Sequence, residues 1–221
     1  MGNLLEIRIV LPLIALACLA SCCYKAPQAP RSSVAVDELA AKTHSVAVGQ
    51  TVPPVTLRTI QGQPFDLRKA VAGQPTVVIF YRGGWCPYCN RHLVQLQELE
   101  PKLKELGYQI LAISPDRPEE LAKSIKKQKL KYTLLSDSDM TAAKAFGLAF
   151  RVDDALVNLY KTKYNIDLEA ASGRTHHELP VPAVYIVGRS GKIRYEYVNP
   201  NYKIRIKPEK LLQAARSALP R

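Results

Sequence analysis

The chain has 221 residues, of which 47% are hydrophobic and 23% charged, with a formal net charge of +12. That balance is ordinary for a globular chain able to bury a core of normal size. The basic excess suits anionic lipid or acidic protein partners, but no nucleic-acid motif interleaves with the scattered aromatics, so no nucleic-acid partner is expected.

Residues 1–22 read as a lipoprotein-type signal peptide. Arg8 supplies a positive charge, and Ile9 to Ala20 is an apolar run broken only by Pro12. About a dozen residues are too few to span a bilayer as a helix and suit the apolar region of a signal. Leu19-Ala20-Ser21-Cys22 resembles a bacterial lipobox, whose small residues fit a signal peptidase and whose cysteine becomes lipid-modified. Glu6 departs from the basic pattern of such leaders. The expected lipidation site is Cys22, and the expected location is exported, membrane-anchored and facing the periplasm or cell surface. Residues 23–45 read as a proline-containing tether and a short lead-in helix, and residues 46–221 as one domain.

Within the domain, Val55 to Thr59 looks like a strand, Gln61-Gly62-Gln63 a turn and Pro64 to Leu67 a short return. Thr76 to Tyr81 is a continuous β-branched and aromatic run, as expected of a central strand buried on both faces. A helix starts near Pro87, with Leu93, Leu96, Leu99, Leu103 and Leu106 forming one apolar stripe. Pro101 is expected to kink or split it, and Gly107 to end it. Gln109 to Ile113 follows as a strand, Pro118 to Lys129 as a helix, Tyr132 to Leu135 as a strand and Met140 to Phe146 as a helical turn or two. Residues 151–180 read as a helix around Ala155–Tyr160 and then a loop. Ala183 to Val187 and Lys192 to Val198 form two strands around a glycine-containing turn, and Pro208 to Ala218 a last helix. The strand–helix alternation over residues 76–135 implies parallel βαβ units, so the fold class is α/β, a mixed sheet with helices on both faces.

With Cys18, Cys22 and Cys23 in the leader region, Cys86 and Cys89 are the only cysteines of the domain. They leave no disulfide framework and are free for chemistry. Trp85-Cys86-Pro87-Tyr88-Cys89 joins the end of an apolar strand to the start of a helix. Pro87 suits the first helical position, which puts Cys86 at the N-cap. A sulfur there is expected to face free N–H groups and the positive helix end, both of which favour thiolate. Cα atoms three apart in a helix lie roughly 5–5.5 Å from each other, within disulfide range. Cys86 is therefore the expected nucleophile and Cys89 the resolving cysteine, together a redox-active disulfide. Zinc needs four ligands and no second such pair exists, so neither a metal nor another cofactor is expected. A copper chaperone using Cys86, Cys89 and His176 or His177 is the reading from a different class. Trp85 is expected to shield the dithiol and offer an apolar docking surface, Tyr88 to tune the motif, and Pro182 to be a candidate cis-proline. Arg82 reads as either a bias on the thiolate or a solvated side chain, His92 as surface or packing, and Asp116 and Asp137 as caps or turns.

The run Phe80-Tyr81-Arg82-Gly83-Gly84-Trp85-Cys86-Pro87-Tyr88-Cys89, together with Ile113-Ser114-Pro115-Asp116 and Leu179-Pro180-Val181-Pro182-Ala183, resembles the peroxiredoxin-like branch of the AhpC/TSA family. The resemblance covers roughly residues 46–219. It implies a thioredoxin-like fold, a peroxidatic Cys86 and a local resolving Cys89. It also implies a substrate site of Trp85, Pro87, Tyr88, Val181 and Pro182, in which Val181 pairs with substrate backbone. The partners implied are a disulfide-containing protein or a hydroperoxide, an electron-donor thiol protein, and the membrane through the lipid anchor. True peroxiredoxins have a threonine three residues before the reactive cysteine, where this chain has Gly83. They have a proline seven before it, where this chain has Ile79, and an arginine on a later strand, where Pro182 aligns. These departures favour thiol–disulfide exchange over peroxide reduction as the expected activity.

Overall fold

In this computed structural model, the structure describes residues 38 and 40–219. The expected signal peptide with Cys22, and most of the segment expected to be a tether, lie outside the described residues.

Among the described residues, nine strands and seven helices follow one another. They are β1 Thr56–Arg58, β2 Pro64–Asp66, α1 Leu67–Val71, β3 Thr76–Phe80, α2 Pro87–Glu105, β4 Gln109–Ser114, α3 Pro118–Gln128, β5 Thr133–Ser136, α4 Thr141–Ala145, β6 Ala149–Arg151, α5 Asp154–Tyr164, α6 Leu168–Ser172, β7 Glu178–Pro180, β8 Ala183–Val187, β9 Ile193–Val198 and α7 Pro208–Ser217. Seven strands form one sheet in the order β2-β1-β5-β4-β3-β8-β9. β3, β4 and β5 run parallel, as two right-sized βαβ crossovers require. β8 and β9 add an antiparallel hairpin beside β3, and β1 and β2 an antiparallel pair beside β5. This is the mixed sheet the alternation of elements implies.

β3 is the axis of the fold, and all five of its residues are buried. Its period of two divides them between two cores. Val77 and Ile79 face the side packed by α2, α3 and α7, where Leu93, Leu103, Leu121 and Leu211 are fully buried. Val78 and Phe80 face the other side, packed by Leu67 and Val71 of α1, Ala142 and Ala143 of α4, Leu156 and Tyr160 of α5, and Leu168 of α6. Burying one such leucine contributes about 1.5–3 kcal/mol, so both faces are firmly held against β3.

Two expectations are corrected. Pro101 does not split its helix, since α2 runs unbroken from Pro87 to Glu105. A proline removes one hydrogen bond of the ladder, while Leu99 and Leu103 on either side of it stay buried and hold the last turn against the sheet. Residues 151–180 are also more structured than a helix and a loop. α5 extends to Tyr164, α6 follows, and β6 and β7 pair antiparallel through Phe150 and Leu179.

Candidate active site

The site forms where β3 gives way to α2. Tyr81 continues the strand, its N–H donating to the Ile113 carbonyl at 3.0 Å. The chain then turns over Arg82 to Trp85 and enters the helix with Cys86 at the N-cap and Pro87 in the first turn. That turn is pinned on both sides. Gly84 N–H donates to Asp116 Oδ2 at 2.7 Å, and Asn90 Nδ2 of α2 donates to the Gly84 carbonyl at 2.8 Å. Gly83 holds φ +147, and a Cβ placed there would run into the Trp85 indole nitrogen and come within 2.8 Å of Asp116 Oδ1. The indole thus occupies the space beside Gly83, which leaves no room for a side chain at this position.

Cys86 and Cys89 are both free thiols and both buried, with 1% and 0% exposure. Their environments push them apart. The Cys86 thiol is lowered to about 6, mainly by hydrogen bonding from the Cys89 thiol, with Arg82 and Arg205 adding positive charge against the opposing effect of burial. The Cys89 thiol is pushed up, first by burial and then by donating to Cys86. One sulfur is therefore a thiolate at neutral pH while the other keeps its proton, the division of labour a nucleophile and its resolving partner require. The physical cause differs from the one expected. Cys86 caps the helix through its backbone, but its sulfur makes no N-cap hydrogen bond. Its acidity comes from the neighbouring thiol and two guanidinium groups.

Arg82 is not solvated. It is 2% exposed, its Nη2 donates to Tyr160 Oη at 2.6 Å, and its guanidinium lies 4.1, 5.0 and 5.7 Å from the ring centroids of Tyr202, Trp85 and Tyr160. Rings on several sides compensate a buried cation electrostatically where a carboxylate would neutralise the very charge that the Cys86 thiolate needs. Arg205, from the segment between β9 and α7, approaches from elsewhere, with its Nη2 3.4 Å from Cys89 Sγ. It braces itself on the carbonyls of Tyr202 and Ile204.

Behind the dithiol lies a polar pocket. Asp116 accepts from Gly84 N–H and from Ser114 Oγ, the latter at 3.0 Å, while its Oδ1 is buried without a partner among the described residues. Burial raises this carboxyl to about 7. Asp116 is thus more than the cap or turn expected from sequence, since it organises the loop that carries Trp85. Asp137 keeps the expected role and accepts from the N–H groups of Ala142 and Ala143 at the start of α4. His92 is buried and neutral, lowered to about 3 by desolvation and then by Arg205.

In front of Cys86 opens a cleft of about 610 Å³. Of the residues expected at a substrate site, Trp85, Pro87 and Tyr88 line it, joined by Arg82, Tyr160, Tyr164, Ile166, Tyr202 and Lys203. Val181 and Pro182 do not. Val181 is a fully buried core residue whose N–H already donates to the Leu148 carbonyl at 2.8 Å, so that N–H is not free for substrate backbone. Among the described residues no peptide bond is cis, so Pro182 enters β8 as an ordinary trans proline.

The copper reading finds no support. His176 engages the Ser138 carbonyl and the Glu178 N–H, and His177 faces Asp154 and Glu169. Among the described residues no three potential ligands come together. Sequence reasoning missed Arg205, Tyr160 and Tyr202. Nothing local marks Arg205, which meets Cys89 across 116 positions of chain.

The chain is 34% identical over 125 residues to the chloroplastic peroxiredoxin Q of Sedum lineare, a match covering 57% of this chain and 63% of that protein. It is 35% identical over 103 residues to a putative peroxiredoxin bcp of Haemophilus influenzae, covering 47% and 66% respectively. The chain thus spans just under two thirds of the length of these relatives. In fold it is similar to the peroxidoxin BcpB of Mycobacterium tuberculosis, with a TM-score of 0.59 at 20% identity over 77% of this chain and 96% of that one. A profile of the AhpC/TSA family matches residues 48–196, well over half of the sequence. The chain belongs to the AhpC/TSA family.

Proposed function

We propose that this chain is a thiol-dependent peroxidase of the peroxiredoxin type that resolves its own oxidised cysteine. The observation that carries the reading is the opposite displacement of two neighbouring thiols, with Cys86 lowered to about 6 beside Arg82 and Cys89 raised by burial. The Cys86 thiolate attacks the outer oxygen of a hydroperoxide. The O–O bond breaks, Cys86 keeps the outer oxygen with its hydrogen as a sulfenic acid, and the departing alkoxide takes a proton from solvent and leaves as the alcohol, or as water from hydrogen peroxide. Arg82, held at the cleft by rings, stabilises the charge that collects on the departing oxygen. Cys89 then loses its proton, attacks the sulfenic sulfur and expels water, leaving the Cys86–Cys89 disulfide. Arg205 favours the Cys89 thiolate at that moment, because an opposite charge within a few ångströms offsets burial. An electron-donor thiol protein returns two electrons and restores both thiols.

Stopped-flow mixing with hydrogen peroxide and with a larger alkyl hydroperoxide tests this, using Trp85 fluorescence as the reporter. Oxidation far faster than that of free cysteine supports the reading, and a rate no better than free cysteine overturns it. A specific observation favours a second reading. The Trp85 indole fills the space beside Gly83, and a tryptophan directly before a Cys-x-x-Cys pair suits disulfide exchange with a protein substrate. Reduction of insulin disulfides that is lost in Cys86→Ser, without fast peroxide oxidation, would select it. We infer, from the lipobox, that the domain works outside the cytoplasm on a lipid anchor at Cys22. Failure of Cys22→Ser to abolish labelled palmitate incorporation removes that part.

A further inference from the structure

A second cleft, of about 220 Å³, lies on the other side of Tyr88. It is lined by Arg91 and His92 of α2 and by Lys203, Arg205 and Lys207 of the segment between β9 and α7. Tyr88 and Lys203 line both this cleft and the aromatic one in front of Cys86, so the two meet at the dithiol motif. Neither residues 88–95 nor residues 199–208 contain an acidic residue. Among the described residues, none of the four cations of this cleft makes an ion pair, although eleven such pairs occur elsewhere on this basic chain. Arg91, Lys203 and Lys207 are exposed, and Arg205 is half-buried with its Nη2 on Cys89 Sγ. At the floor, His92 is 4% exposed and its Nε2 has no partner among the described residues. His92 is neutral there, so it neither adds to nor offsets the positive charge of the cleft.

We propose that this basic cleft docks the electron donor, and that the donor is an acidic dithiol protein with carboxylates flanking its own cysteines. The inference rests on the reading of the chain as an enzyme whose Cys86–Cys89 disulfide is reduced in each cycle. Exposed cations without counter-charges attract an acidic surface over a Debye length of about 10 Å. The junction at Tyr88 then sets the donor's thiolate at the mouth of the aromatic cleft. That thiolate attacks Cys86 Sγ, the Cys86–Cys89 bond breaks, and Cys89 departs as a thiolate beside Arg205. A mixed disulfide joins the donor to Cys86. The donor's second thiolate attacks its own sulfur in that bond and releases the Cys86 thiolate, so two electrons pass to the enzyme and the donor leaves as a disulfide.

The test measures kcat/KM for three reductants at saturating peroxide, in the natural chain and in the double variant Arg91→Glu/Lys207→Glu. The reductants are a reduced thioredoxin of net negative charge, neutral dithiothreitol, and glutathione. With the acidic protein, kcat/KM is expected to fall at least about 10-fold in the double variant, and by a similar factor when salt is raised from low to high ionic strength. With dithiothreitol both changes leave the rate within about twofold, which also shows that the variant is folded. Insensitivity of the acidic protein to charge and salt overturns the proposal. So does its failure to support turnover where dithiothreitol succeeds, or a glutathione rate that falls as steeply, which would make the cleft a site for a small anionic thiol. If no reductant supports turnover in the natural chain, it is the underlying peroxidase reading that fails.

Discussion

The two clefts that meet at the dithiol handle positive charge in opposite ways. In the aromatic cleft one cation, Arg82, is buried, hydrogen-bonded to Tyr160 and covered by rings. In the basic cleft three cations stand in solvent with no carboxylate beside them among the described residues. A buried guanidinium is fixed in place and acts at short range in low dielectric, so it serves one sulfur. Exposed ammonium and guanidinium groups are screened at short range yet still shape the field that a partner meets. The same charge type therefore serves chemistry on one side and is free to serve recognition on the other. The two sulfurs follow the division, with Cys86 lining the aromatic cleft and Cys89 sealed beneath Arg205.

The sharpest break comes from the sulfurs themselves. Cys86→Ser is expected to bring hydroperoxide consumption to background, whereas Cys89→Ser keeps the first oxidation and stalls at the sulfenic acid, visible by mass spectrometry as one added oxygen. Equal loss in both would erase the distinction between attacking and resolving thiol. Next, Arg82→Gln removes the buried cation. The Cys86 midpoint, about 6 in the natural chain, should climb by roughly one unit or more, followed by thiolate absorbance near 240 nm.

The same shift predicts a pH dependence. The folded value lies below the roughly 8.5 of an unfolded cysteine, so the thiolate contributes stability that is fully present above about 8.5 and is lost as pH falls through about 6. Denaturant midpoints of the reduced chain between pH 5 and 9 measure it, and Cys86→Ser should flatten that part of the curve. Gly83→Ala strains a φ of +147 and drives a methyl group at the Trp85 indole. A cost of about 1–3 kcal/mol is expected in urea unfolding, with a displaced Trp85 emission. Smallest is Arg205→Gln, which should slow disulfide formation a few-fold while leaving the first oxidation almost unchanged; a larger effect on the first step would move Arg205 into the aromatic cleft's chemistry.

How much of this was legible beforehand varies residue by residue. The strands β3, β4 and β5 and the helices between them are carried by uninterrupted apolar runs and a leucine stripe, signals contained in a short window. Cys86 at the N-cap and Cys89 one turn on are likewise local, because Pro87 sets the first turn and a spacing of three sets the geometry. β6 and β7 are three residues each, too short for a period to register, and they exist because Phe150 and Leu179 bury each other across a gap in the chain. Val181 reads as a substrate-facing residue by resemblance, but the Leu148 carbonyl claims its N–H.

The amino-acid sequence alone determined the α/β architecture and the placement of the two domain cysteines one turn apart at a helix start, since these follow from apolar runs and spacings within short windows of chain. Tertiary structure decided which charges reach them. Arg82 could be a solvated side chain or a caged cation, and only the rings of Tyr160 and Tyr202, brought from α5 and from beyond β9, make it the latter. Arg205 arrives over 116 positions. Electrostatic effects depend on distance and on burial, and neither is defined until the chain has folded back on itself.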